Sequence, residues 1–235
     1  MALITSADNQ KLKLVRRLHS RSQRSRLGLV LCEGEDLVDA ALEAGLEPVE
    51  LLVAGETVEP ALLAAASTLP HPPRVVAVFR RADLPAYEAR DACIALWHVA
   101  DPGNVGTLIR TADAFGAAVA LSAGCGEAFG PKALRASAGA AFRVPVGGFD
   151  RPHGRRVALV AHGGRPLDEV ELGGPVVLVL GAERQGLPDD VLHGCDDRAT
   201  IATPGPAESL NVAAAGAIAL HEWARQRRAR PGSET

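Results

Sequence analysis

The chain has 235 residues, 47% of them hydrophobic but only 3% aromatic, so Ala, Val and Leu have to fill a sizeable core. A formal charge of −3 argues against indiscriminate nucleic-acid binding, and no run reaches the roughly 20 apolar residues of a membrane span. The N-terminus lacks the basic-then-apolar order of a secretory signal. Cys32, Cys93, Cys125 and Cys195 stand apart with no C-x-x-C pair, as expected of buried thiols in a reducing, cytoplasmic setting.

Asp8 and Asn9 precede a first helix through "KLKLVRRLH", where Leu12, Val15 and Leu18 recur at helical spacing. Lys11, Lys13, Arg16, Arg17, Arg21, Arg24 and Arg26 face a single acid, Asp8, over this region. A solvated helix face explains such a cluster, and so does a phosphate-binding surface on an otherwise acidic protein. "LGLVLCEG" then reads as a strand, "EDLVDAALEAG" as a helix closed by Gly45, "PVELLVAG" as a strand, "VEPALLAAAST" as a helix and "PRVVAVF" as a third strand. This alternation predicts a small α/β/α unit over residues 1–85. The polar stretch "RRADLPAYEARD" marks a linker, placed at 86–92.

A second α/β series fills 93–235. "ACIALWHVA" is a strand, "NVGTLIRTADAFG" a helix, "AAVALS" a strand, "GPKALRASAGA" a helix and "FRVPV" a strand. "RRVALVAHG", "GPVVLVLGAE" and "ATIAT" follow as strands before a long helix, and "RARPGSET" reads as a frayed tail. Near-continuous apolar strands such as "VVLVLG" predict a mostly parallel sheet covered on both faces.

Three motifs carry chemistry. In "DPGNVGTLIRTADAFGA", Val105, Leu108, Ile109, Ala112 and Phe115 form an apolar stripe, and Asn104 is placed to cap the helix. At ~100° per residue, Arg110 lies roughly 160° from the stripe's centre, pointing away from the core. In "LVLGAERQGLP", a buried strand delivers Leu180, Gly181 and Glu183 to the carboxyl edge of the sheet, where ligands bind in open α/β folds. It matches neither G-x-G-x-x-G nor G-x-x-x-x-G-K-[ST], which argues against a dinucleotide or nucleoside triphosphate. In "IATPGPAESLNV", Ile201 ends a strand, a Pro/Gly loop follows, and Ser209 stands where an N-cap is expected. Asn211 then sets an amide in an apolar run, where it needs hydrogen-bond partners. The small residues Ala213 to Gly216 suit either close packing or a ligand.

Together, Asn-x-Gly-x-x-x-Arg, Gly-x-Glu-x-x-Gly and Ser-Leu-Asn-Val resemble the SpoU-type (TrmH-like) RNA methyltransferases of the SPOUT superfamily. "GPKALRASAGA" is similar to a further family segment, with Gly130 where a serine is usual. The first 85 residues resemble the ribosomal-protein-like substrate-binding domain that many members carry. The resemblance implies an α/β fold with a trefoil knot, S-adenosyl-L-methionine as cofactor and methyl transfer to a ribose 2′-OH of RNA. Ribosomal RNA is favoured over transfer RNA because the extra domain is commoner in that branch. Arg110 is implied as the main catalytic residue, with Asn104, Glu183, Ser209 and Asn211 building the pocket. Leu180, Gly181, Ile201, Ser209 and Leu210 are implied to hold the cofactor in a homodimer. Arg16, Arg17, Arg24, Arg26, Lys132 and Arg135 are candidates for RNA phosphate contacts. Two alternatives remain: a tRNA methylase and a non-catalytic RNA-binding or assembly protein on the same fold. The seven histidines and four cysteines show no metal-ligand spacing.

Overall fold

The computed structural model describes residues 3–206 and 208–229; of the expected tail, residues 230–235 lie outside the described residues. The first unit is a three-stranded antiparallel sheet in the order β1 (Leu29–Glu33), β3 (Val75–Arg80), β2 (Glu50–Val53). It is joined by helices α1 (Gln10–Leu18), α2 (Arg21–Leu27), α3 (Glu35–Glu43) and α4 (Pro60–Ala66). Leu12, Val15 and Leu18 are buried as their spacing requires. The Asn9 side chain caps α1 by accepting from Lys11 N–H at 2.9 Å.

Helix α2 was not anticipated from the sequence. "RSQRSRL" has one apolar residue and its buried member is Arg24, only 6% exposed. The Arg24 guanidinium donates to both carboxylate oxygens of Glu127, at 3.0 and 2.5 Å, and to the carbonyls of Leu18 and His19. An ion pair to a residue 103 positions away thus anchors the helix, rather than an apolar stripe.

The second unit is a seven-stranded, wholly parallel sheet. Its strands are β4 (Ala92–Leu96), β5 (Ala118–Leu121), β6 (Val146–Gly148), β7 (Arg155–Leu159), β8 (Arg165–Pro166), β9 (Val176–Leu180) and β10 (Asp197–Thr200). They lie in the order β6-β5-β4-β9-β7-β10-β8. Every residue of β4 and β9 is buried, as continuous apolar runs between two helical layers demand. Helices α5 (Pro102–Phe115), α6 (Pro131–Ser137), α7 (Asp189–His193) and α8 (Val212–Ala229) complete the unit.

The strand expected at "FRVPV" is displaced: residues 140–142 form a 3-10 turn and β6 starts after Pro145, which has no N–H to give the ladder. The two-residue β8 and the helix α7 were not anticipated. Strand β4 begins at Ala92, the last residue of the expected linker.

Helices α5, α6 and α8 pack closely. A Cβ on Gly106 would overlap the Ala133 carbonyl of α6, and one on Gly216 would overlap the Leu108 side chain of α5. The two units share one hydrophobic cluster, from Val30, Cys32 and Phe79 to Ile94, Leu134 and Phe142. Together with the Arg24–Glu127 pair, this continuity holds the small unit on the large one.

Candidate active site

The carboxyl ends of β7, β9 and β10 open into a cleft of about 680 Å³. Leu159, Leu180, Ile201 and Leu210 give it apolar walls, and Gly181, Glu183, Thr200 and Ser209 also line it. This is where an open parallel sheet exposes loop backbone to a ligand. The "GAERQG" turn after β9 is closed by Gly186 N–H donating to the Ala182 carbonyl at 2.9 Å, with Gly186 at φ +66°. That left-handed conformation is one a glycine adopts without strain.

Asn104 and Asn211 take different places from those their local sequence suggests. Helix α5 begins at Pro102 and is capped by Asp101, whose side chain accepts from Gly103 N–H at 3.0 Å. Asn104 is therefore one turn inside and free for another partner. Its amide donates to Glu183 Oε1 at 2.8 Å, and its oxygen accepts from the Asn211 amide at 3.2 Å. Asn211, rather than Ser209, caps α8: its side-chain oxygen accepts from Ala213 and Ala214 N–H. Asn211 is exposed rather than buried, so its amide is satisfied by Asn104 at the rim of the cleft. One hydrogen-bonded row, Glu183–Asn104–Asn211, thus joins all three sequence motifs.

Arg110 is exposed on the outer face of α5, with no hydrogen bond or ion pair among the described residues. Ser209 is exposed at the cleft mouth. Lys132, at the start of α6, pairs with Asp101 at 2.6 Å. This hydrogen bond, and then the Gly103 N–H, hold the Asp101 carboxyl below its ordinary value.

Residues 91–221 match the SpoU rRNA Methylase family, and residues 9–81 match the MRM3-like substrate binding domain. The chain belongs to the SpoU rRNA methylase family. As a SpoU methylase it is an RNA methyltransferase that uses S-adenosylmethionine. It is 34% identical to a 23S rRNA (guanosine(2553)-2'-O)-methyltransferase of Bacillus subtilis (strain 168), covering 94% of this chain and 98% of the relative. Among solved structures, it is similar to an AdoMet-bound rRNA methyltransferase from Sinorhizobium meliloti, with TM-score 0.84, 29% identity and coverage of 96% and 98%. It is also similar to the SpoU methyltransferase AviRb from Streptomyces viridochromogenes in complex with AdoMet, with TM-score 0.80, 26% identity and coverage of 94% and 99%.

The cleft of this SpoU methylase fits a small nucleoside cofactor. Its volume falls in the range of roughly 300–1,000 Å³ usual for such ligands. The N–H groups of Ile201 and Ala202 have no backbone acceptor among the described residues, leaving donors at the sheet edge. All five residues named from sequence for the cofactor line it, and so do His162 and Thr200, which sequence reasoning did not single out. Both stand at or just beyond a strand's carboxyl end, a signal that the strand assignments already contained.

The basic residues divide. Arg17 and Arg26 are exposed and share Gln23 Oε1, while Arg16 reaches the Ala7 carbonyl. Arg135 is exposed on α6. Arg24 leaves the phosphate-contact set, because its donors are spent on Glu127 and two backbone carbonyls. Among the described residues no group of three His, Cys, Asp or Glu is placed to hold a metal, and no helix is long and apolar enough to cross a membrane.

Proposed function

We propose that this cytoplasmic protein methylates a ribose 2′-OH of ribosomal RNA and works as a homodimer. The observation that carries the reading is the Glu183–Asn104–Asn211 row set on the rim of the nucleoside-sized cleft. Leu180, Gly181, Ile201, Ser209 and Leu210 would hold the cofactor, which when bound supplies an electrophilic methyl on a sulfonium. The knotted C-terminal threading of SpoU enzymes belongs to the same reading.

A ribose hydroxyl is a poor nucleophile near neutral pH, so the protein has to position it and stabilise the charge that develops on its oxygen. Arg110 suits the stabilising role, because a guanidinium stays protonated and presents a planar fork to phosphate or alkoxide. Asn104 fixes the Glu183 carboxylate, whose second oxygen has no partner among the described residues and is free to accept from a hydroxyl. An outward-facing Arg110 needs a surface to work against, and α8 beside it exposes Ile218 at 41%. Both fit a site completed by a second subunit. The phosphate contacts fall to Arg16, Arg17, Arg26, Lys132 and Arg135.

Methyl transfer from labelled S-adenosylmethionine to ribosomal and transfer RNA, followed by mapping of 2′-O-methyl positions, tests the reading. Wild-type protein should label ribosomal RNA. Arg110→Lys should lose at least about 100-fold in rate while still binding S-adenosylhomocysteine. Near-wild-type turnover of that variant would sink the role given to the guanidinium. Cofactor binding without methyl transfer would favour the assembly-protein alternative.

A further inference from the structure

A second cleft, of about 560 Å³, lies between the two units at the carboxyl ends of β5 and β6. It shares its sheet edge with the cofactor cleft, on the other side of β4. Its wall supports the catalytic loop directly. Gly126 N–H donates to the Val99 carbonyl at 2.8 Å, and a Cβ on Gly126 would overlap the backbone of Pro102, the first residue of α5. Ser122, also in the wall, accepts from His98 N–H at 2.9 Å. His98 is one of two non-glycine residues with positive φ among the described residues, at +53°, in the loop that leads to Asn104. A molecule seated in this cleft therefore touches Ser122 and Gly126, which brace the segment that aims Asn104 and Arg110.

The lining states what that molecule is. Arg24 and Glu127 neutralise one another in the floor. Arg21 and Arg81 are the other cations of the lining; neither has an ion pair among the described residues, and Arg81 stays within the field of the Glu127 carboxylate. The Arg81 guanidinium carbon lies over the Phe129 ring, 3.4 Å from its centroid. A guanidinium braced in this way is a rigid planar cation, a surface on which unpaired bases stack. A neighbouring free arginine suits the phosphate attached to such a base.

We propose that the interdomain cleft binds one unpaired nucleotide of the substrate RNA, its base stacked on Arg81 and its phosphate held by Arg21. The proposal rests on the RNA methyltransferase reading and names the part of the substrate that fixes the register of the target ribose. The cleft volume matches a single nucleotide rather than a duplex. Both units contribute to it, so the small unit reads the RNA at the point where it meets the catalytic one.

The test uses the full chain and a ribosomal RNA fragment centred on the mapped methylation position, with 2-aminopurine placed in turn at the flanking nucleotides. One position should change fluorescence on binding wild-type protein and lose that change with Arg81→Ala. Affinity for the fragment should fall about tenfold with Arg81→Ala. Arg81→Lys, which keeps the charge and loses the plane, should remain impaired. Arg74→Ala removes a like charge at the far end of β3 and should stay within twofold of wild type. Affinity for S-adenosylhomocysteine should be unchanged in all three variants, showing that they fold. A wild type that methylates RNA while Arg81→Ala matches its RNA affinity overturns the cleft proposal and leaves the methyltransferase reading standing, and so does full rescue by lysine. A wild type that methylates no RNA overturns both.

Discussion

The side-chain amide of Asn211 donates to Asn104 Oδ1 at 3.2 Å, linking residues 107 positions apart. The same Asn211 caps α8 through its oxygen, and the same Asn104 grips Glu183 through its amide. Neither asparagine has a spare group of the right kind. If Asn104 flipped to suit a changed partner at 211, it would lose Glu183. The start of the last helix is thereby coupled to the carboxylate at the end of β9.

This double use of Asn211 separates stability from activity. Asn211→Asp keeps an acceptor for the Ala213 and Ala214 N–H groups but turns a carboxylate toward the Asn104 oxygen. Thermal stability should stay within a degree or two of wild type, while methyl transfer falls about tenfold or more. Asn211→Ala should lose both, with ~1 kcal/mol of cap energy appearing as a drop of roughly 2–4 °C in Tm. Calorimetry and single-turnover methylation on the same preparations check the split.

Asn104→Asp sets a carboxylate against Glu183 at the distance of the present 2.8 Å hydrogen bond. Like charges at that range cannot both stay ionised without cost, so the row should open. The expected outcome is a loss of about 100-fold in kcat/KM with little change in Tm, since both groups sit at the exposed rim. Raising the pH should deepen the defect, because ionisation of both carboxyls is what drives them apart. A variant whose defect is flat across pH would refute the charge argument.

What was legible in the sequence follows the range of the interactions involved. The α1, α3 and α5 faces and the buried β4 and β9 could be read because their apolar periodicity is local. The motif residues could be placed at the sheet edge because they follow strands. Helix α2 was illegible because Arg24 anchors it to Glu127, 103 residues away. The caps were misassigned for a related reason. Asp101 and Asn104, like Ser209 and Asn211, are equally good caps by type; Pro102 at the first helical position favours Asp101 locally, and the distant claim of Glu183 on Asn104 agrees with it. The interdomain cleft left no sequence signal, since its walls come from both units.

Asp101 gives a pH prediction whose sign is fixed by its environment. Its carboxyl is held below the ordinary value, chiefly by Lys132. A depressed folded-state pKa contributes stability that is present above the unfolded value and is lost as pH falls through the folded one. The Tm advantage of wild type over Asp101→Asn should therefore be full at neutral pH and disappear in the acid range, below the usual carboxylate pKa. The pair is exposed, so the advantage should be under ~1 kcal/mol and shrink with salt. An advantage that grew on acidification would show that the pair is not what holds the carboxyl down.

The Arg24–Glu127 pair, its guanidinium buried and its carboxylate part-buried, should behave differently, as a larger and less salt-sensitive contribution. Arg24→Ala leaves Glu127 without its partner and strips the Leu18 and His19 carbonyls of their donor. Removing one member of a fully buried ion pair costs about 3–5 kcal/mol; with Glu127 part-exposed the loss should lie below that, so Tm should fall by roughly 5 °C. Glu127→Gln keeps one acceptor for the guanidinium and should cost clearly less. Because the pair spans the two units, the Arg24→Ala loss should come with earlier proteolysis between residues 81 and 91, where the chain passes from one unit to the other. A small, salt-dependent loss would place the pair among ordinary surface contacts. In that case the shared hydrophobic cluster alone would fix the small unit against the catalytic one.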